Sequence, residues 1–269
     1  MKNIAIIGLG AAGLCALRHL AARPNFFRAV GFEQSSQVGG TWVYTPEVRT
    51  DKNGISIHSS MYKNLRTNLP KEVMAFPDYE FKKSLPSFIE HFHVKEYLQD
   101  YAEHFGLFSH AKLETQIQHV EPLPSTNAGS VGWRITYKNM QSSAASETED
   151  FDAVIVCNGH YSIPNIPQIP GLNKFKGSTM HSHDYRQPEP FEGKTILCLG
   201  AGASGIDIAI DLSSVARKIY LAHNKEQLTS EMPSNLVQAT GINHFSEDYS
   251  LMGVSILFLN TLSMHHILH

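Results

Sequence analysis

Two six-residue glycine patterns, Gly8-Leu9-Gly10-Ala11-Ala12-Gly13 and Gly200-Ala201-Gly202-Ala203-Ser204-Gly205, each come directly after a short apolar run. No other feature limits the fold as strongly. Residues 3–7 (NIAII) and the TILCL before Gly200 are short, apolar and uncharged, as interior strands of a parallel sheet are. Between such a strand and a helix, the first glycine permits a tight turn and the second lets the backbone approach a pyrophosphate. The third lets helix and strand pack closely. The helix N-terminus then turns N–H groups and a positive dipole toward the phosphates.

The rest of the chain agrees with that reading. LCALRHLAA predicts a helix stopped by Arg23-Pro24, and RAVGFEQ (28–34) predicts the next strand. KIYLAHN repeats the design after the second turn. FDAVIVCNG predicts a further buried strand, and 113–121 and 131–138 predict a small antiparallel layer. Ser87-x-x-Glu90 has capping-box spacing ahead of a helix whose apolar face carries Phe88, Phe92, Tyr97, Tyr101 and Phe105, with Gly106 as its stop. The expected fold class is α/β: two Rossmann-like dinucleotide-binding domains of the FAD/NAD(P)-binding type, with parallel central sheets and a small antiparallel layer. Residues 1–180 are expected to form the first of these domains and 181–269 the second.

Composition excludes several classes. At 42% hydrophobic and 17% charged residues, the chain can bury a core, and its net charge of −3 gives nucleic acid or an anionic membrane no purchase. No run reaches the roughly 18 apolar residues that a membrane span needs. Cys15, Cys157 and Cys198 lie far apart without a CxxC pair, which predicts free thiols and argues against a dithiol flavin reductase. His265, His266 and His269 lack companion ligands, so no metal site is expected.

The two turns differ in the charge at the end of the next strand. Glu33 ends the strand after the first turn, where a carboxylate accepts ribose hydroxyls. The matching place after the second turn reads AHNK, with His223 and Lys225 and no acid, which favours NADP over NAD because a cation attracts the 2′-phosphate. Two nucleotide sites imply electrons passing from a nicotinamide to a chain-bound cofactor, for which a flavin is the natural candidate.

Between the two turns, Phe175-x-Gly177-x-x-x-His181-Ser182-x-x-Tyr185 resembles the identifying motif of the flavin-containing monooxygenases, FxGxxxHxxx(Y/F). VGGTW (38–42), TNLPKEVMAFPD (67–78), CNGHYSIPNIPQIPG (157–171) and GAGASGIDIA (200–209) extend the resemblance to about residue 250, and TNLPKEVMAFPDYEF is most similar to the insect branch of alkaloid N-oxygenases. Baeyer–Villiger enzymes usually place Trp where Tyr185 stands. The resemblance implies FAD contacts at Gly8 to Gly13, Glu33, Gly40, Thr41, Trp42, Thr67 and Asn68, with Asn68 in a catalytic role. It implies NADPH contacts at Gly200, Gly202, Ser204, Gly205, Ile206 and Asp207, to which the charge argument adds Lys225. His181 and Tyr185 are expected to shape the linker rather than to do chemistry. The implied activity is NADPH-dependent N- or S-oxygenation of amines, sulfides or alkaloids through a C4a-hydroperoxyflavin, with O2 and a small nucleophile as partners.

The family is longer than 269 residues, and its later TGY-like motif is absent, so the resemblance implies that residues 1–180 form an FAD-binding domain lacking its C-terminal returning segment and 181–269 an incomplete NADPH-binding domain. The alternative is therefore a truncated isoform or fragment that binds FAD and NADP without productive oxygenation. On this reading residues 256–258 (ILF) are a relic of a strand returning to the first domain, and apolar surface left uncovered favours homo-oligomers. A cytoplasmic location is expected, with endoplasmic-reticulum association as the alternative.

Overall fold

The computed structural model describes residues 1–124, 131–242, 245 and 254–258. These fall into two compact units, and the chain passes between them more than once. Residues 1–44 and 66–160 form the first, while residues 45–65 join the described residues from Tyr161 onward in the second.

In the first unit, β1 (Lys2–Ile7) leads through the glycine turn into α1 (Ala11–Ala21) and then β2 (Phe27–Phe32), as the sequence predicts. Strand β1 pairs in parallel with β2, with Ile7 opposite Phe32. The short α2 (Lys71–Met74) and the longer α3 (His91–His104) come next, then β3 (Ala111–Lys112). After them lie β4 (Thr115–Pro122), β5 (Trp133–Asn139), β6 (Glu147–Phe151) and β7 (Ala153–Val156). The parallel sheet runs β3-β2-β1-β7 and the antiparallel one β4-β5-β6. Leu9, Leu14 and Leu17 bury against Tyr97, Leu98 and Tyr101 in one core. Phe32, Tyr137 and Phe151 form another between the two sheets.

Two local expectations change. FDAVIVCNG is two strands: Phe151 closes the antiparallel sheet, and β7 joins the parallel one after Asp152. That residue makes the corner by accepting the Asn3 N–H (2.7 Å) and the Lys2 ammonium (2.9 Å). The capping box does not form either. The Thr67 N–H donates to the Ile89 carbonyl (2.8 Å) and the Lys71 N–H to that of Ser87 (2.6 Å), so 87–90 pair with the loop at 66–71. Helix α3 begins only at His91. Gly106 does stop it, at φ +65°.

The second unit holds β8 (Thr179–His181), β9 (Thr195–Leu199), α4 (Ala203–Ser213), β10 (Lys218–His223), β11 (Leu236–Thr240) and β12 (Val254–Phe258). They form an all-parallel sheet in the order β11-β10-β9-β12-β8. Strand β12 is thus an interior strand of this sheet. That corrects the reading of 256–258 as a relic of the first domain: Ile256 and Leu257 are apolar, buried and fill the slot between β9 and β8. His265, His266 and His269 lie outside the described residues. Cys198, on β9, is fully buried, which pushes its thiol up to about 12. Among the described residues no helix is long and apolar enough to cross a membrane.

Candidate functional site

The first glycine turn is built so that backbone, not side chain, faces the helix N-terminus. Gly8 has φ +92°, and a Cβ there would lie 2.7 Å from the Cys157 carbonyl oxygen. A Cβ on Gly13 would lie 1.9 Å from the Gly8 carbonyl oxygen, so only glycine lets α1 sit this close to β1. Gly10 is the N-cap of α1 and supplies no side chain to it. The first N–H groups of that helix are therefore left for an outside acceptor. Gly40, at φ +56°, faces Gly10, since a Cβ on Gly40 would come within 3.0 Å of the Gly10 Cα. The structure thus brings the VGGTW segment, with Gly40, exposed Thr41 and half-buried Trp42, beside the turn. Leu9 is buried, Ala11 half-buried and Ala12 exposed.

Glu33 succeeds β2 at the same end of the sheet. One carboxylate oxygen accepts the Leu9 N–H (2.9 Å), and the other accepts the Ser35 N–H (2.9 Å) and hydroxyl (3.0 Å). A carboxylate offers about four acceptor positions, so the side chain is oriented and still has capacity for a ribose hydroxyl. Further along the first unit, Thr67 is buried, and its hydroxyl accepts the Ile89 N–H (3.1 Å). Thr67 thereby anchors the loop that presents exposed Asn68.

The second turn repeats the design with different charge. Gly200 has φ +113°, and the Gly200 N–H donates to the Ala222 carbonyl (2.9 Å), which ties the turn to β10. Gly202 is the N-cap of α4, again without a side-chain cap, and nothing lies within 4 Å of where its Cβ would be. That open space is where a pyrophosphate needs to approach. Ser204 is exposed and Gly205 buried in the first turn of α4, with Ile206 packed on the core. Lys225, leaving β10, folds back so that its ammonium donates to the Ala201 carbonyl within the turn (3.0 Å). A cation therefore stands beside the second turn where an acid stands beside the first.

The sequence did not disclose what α4 does with its acidic face. Asp207 accepts a hydrogen bond from the Tyr62 hydroxyl. One turn later Asp211 accepts from Tyr185 (2.6 Å) and from the Asn64 amide (2.8 Å). Tyr62 and Tyr185 are buried and meet edge to face, with centroids 5.5 Å apart. Desolvation raises both phenols, which keeps them donors. Desolvation of the Asp207 carboxyl against Tyr62 raises its pKa, the Tyr62 hydrogen bond opposes that shift, and the charge of Asp211 adds to it.

Residues 181–186 are tied together and to residues 45–65 by hydrogen bonds. The His181 Nδ1 accepts the His183 N–H (3.0 Å) and caps a short 3₁₀ turn. Buried Arg186 donates to the carbonyls of His183 (2.6 Å), Tyr185 (3.0 Å), Glu47 (3.1 Å) and Ser59 (3.2 Å), clamping residues 45–65. Tyr62, Asp211 and Arg186 carried no motif of their own. An i, i+4 pair of acids on an otherwise apolar helix was the one available hint.

The family model for flavin-binding monooxygenase-like proteins matches residues 1–232. Flavin-containing monooxygenase FMO GS-OX-like 1 of Arabidopsis thaliana is 39% identical over 231 residues, covering 82% of this chain and 48% of the relative. Senecionine N-oxygenase of Tyria jacobaeae is 36% identical over 252 residues, covering 91% and 53%. Among solved structures, S-allyl-L-cysteine S-oxygenase from Allium sativum superimposes with a TM-score of 0.84 at 32% identity, covering 98% of this chain and 63% of that one. The chain spans about half the length of the curated relatives it matches.

Proposed function

This chain belongs to the flavin-binding monooxygenase-like family, and we propose that it serves an NADPH-dependent, FAD-containing monooxygenase that oxygenates nitrogen or sulfur in small soft nucleophiles. The observation that carries the reading is the pairing of two uncapped glycine turns, one beside Glu33 and one beside Lys225. A carboxylate suits ribose hydroxyls and a cation suits a 2′-phosphate, so the two turns fit two different dinucleotides.

In this reading the N-terminus of α1, with Gly8 to Gly13 and Gly40, takes the FAD pyrophosphate, and Glu33 takes its ribose. Thr41 and Trp42 flank that turn. Thr67 holds the loop from which Asn68 offers an amide that both donates and accepts. Gly200, Gly202, Ser204, Gly205 and Ile206 take the NADPH pyrophosphate, Asp207 borders it, and Lys225 meets the 2′-phosphate. FAD held there would supply the two-electron redox chemistry that links a nicotinamide to dioxygen. The atoms balance as NADPH, a proton, O2 and the nucleophile giving NADP+, water and the N- or S-oxide. Relatives named as an S-oxygenase and an N-oxygenase support the substrate class.

The test is the purified chain supplied with FAD, NADPH and, separately, a thioether and a tertiary amine in air. Flavin that copurifies and one oxide formed per NADPH support the proposal. NADPH consumed with hydrogen peroxide as the sole product would refute oxygenation and leave an oxidase. A chain that retains no FAD would refute the cofactor assignment itself, whereas one that holds FAD and NADP+ yet forms no oxide would favour the nonproductive reading.

A further inference from the structure

We propose that Tyr62 is a positioning residue for the nicotinamide dinucleotide assigned above to the second glycine turn, an assignment on which this role depends: by holding the Asp207 carboxylate, it keeps that carboxylate off the anion-binding end of α4.

Three observations meet here. The first is the place of Asp207. Side chains on an α-helix lean toward its N-terminus and cover the preceding turn. Asp207 stands one turn after Ala203, so its carboxylate belongs over the uncapped first turn. The second is what such a carboxylate would otherwise do. Acidic side chains bond readily to free N–H groups at a helix start, and the dipole there favours negative charge. An unrestrained Asp207 would compete with a pyrophosphate for the same donors and repel it as well. The third is the restraint. The Tyr62 hydroxyl donates to Oδ2 of Asp207, and the ring is buried, locked edge to face with Tyr185.

The neighbouring pair supplies the contrast. Asn64 lies two residues further along and bonds Asp211, a full turn more distant from Gly202. Asn64 and Tyr62 thus both bond acids of α4, Asp211 having Tyr185 as a second donor, but only Tyr62 governs a group within reach of the phosphates. Residues 45–65 carry no GxGxxG pattern, yet through this one hydroxyl they set the charge that a dinucleotide meets.

Isothermal titration of NADP+ into the full chain and its variants tests the role. Tyr62→Phe keeps the buried ring and removes the donor, and it is expected to weaken NADP+ about tenfold. Asn64→Ala is expected to stay within twofold. In the double variant Tyr62→Phe/Asp207→Asn the competing charge is gone, and affinity is expected to rise above that of Tyr62→Phe alone. Recovery of binding is a readout that mere loss of a structural bond would not give. Equal losses for Tyr62→Phe and Asn64→Ala, no loss for Tyr62→Phe, or a double variant as weak as Tyr62→Phe alone would each overturn the proposal. If the parent chain itself takes up no NADP+, the dinucleotide assignment fails, and the role of Tyr62 fails with it.

Discussion

Replacing Gly13 by alanine should destabilise the first unit, against the usual trend for a helix. In an ordinary helix interior, glycine to alanine gains up to about 1 kcal/mol. Here the added methyl group would lie 1.9 Å from the Gly8 carbonyl oxygen, a main-chain atom that no rotamer can move aside. Real Cβ contacts essentially stop near 3.0 Å, so α1 must retreat by about 1.1 Å. Overpacking of this kind costs about 1–3 kcal/mol, and a backbone collision belongs at the upper end. Less the propensity gain, the net loss is about 2 kcal/mol. Both tryptophans of the chain, Trp42 and Trp133, lie in the first unit, so selectively excited tryptophan fluorescence in urea reports on that unit. With a slope of roughly 1–3 kcal/mol per molar urea, the midpoint should fall by about 1 M, and FAD retention should fall with it. A midpoint unchanged or raised would show that helix and strand are not held in contact at Gly13, and the account of the first turn would be wrong.

Gly202→Ala should give the opposite pattern. Nothing lies within 4 Å of the new methyl group, so urea unfolding should change by less than about 1 kcal/mol while NADP+ affinity falls at least about tenfold. Lys225→Ala should lower the ratio of NADPH to NADH affinity about tenfold, measured by titration of each, with FAD retention unaffected. The second unit should lose stability in mild acid. Burial and the neighbouring His183 hold the His181 pKa below its ordinary value, so the neutral ring is favoured in the fold. Stability is then complete above the unfolded value of roughly 6.5 and declines as pH falls below it toward the lower folded pKa. Amide exchange on β9 and α4 between pH 7.5 and 5.5 should show that slope, and His181→Asn should flatten it.

Much of this molecule is written locally. Gly8, Gly10 and Gly13 after NIAII, and Gly200, Gly202 and Gly205 after TILCL, specify strand, turn and helix within about twenty residues each. The constraints involved, a positive φ at Gly8 and a close approach at Gly13, act between neighbours along the chain. Glu33 and Lys225 were legible for the same reason, because the end of the next parallel strand is a fixed distance from the turn.

What the sequence left open depends on partners far apart. The Ser87 capping box yielded to backbone pairing with 66–71, and the apolar run after Phe151 was split by Asp152 between two sheets. Residues 256–258 carry the composition of a buried strand, but nothing in their composition selects between two parallel sheets. The tertiary structure placed them between β9 and β8. Tyr62 and Asn64 read as ordinary polar and aromatic residues until folding set them against Asp207 and Asp211, across separations of 145 and 147 residues. Local sequence determined the two turns, through sterics within one βα unit. Only the tertiary structure decided which distant hydroxyls would satisfy two carboxylates on one helix, because that depends on which buried donors have nowhere else to go.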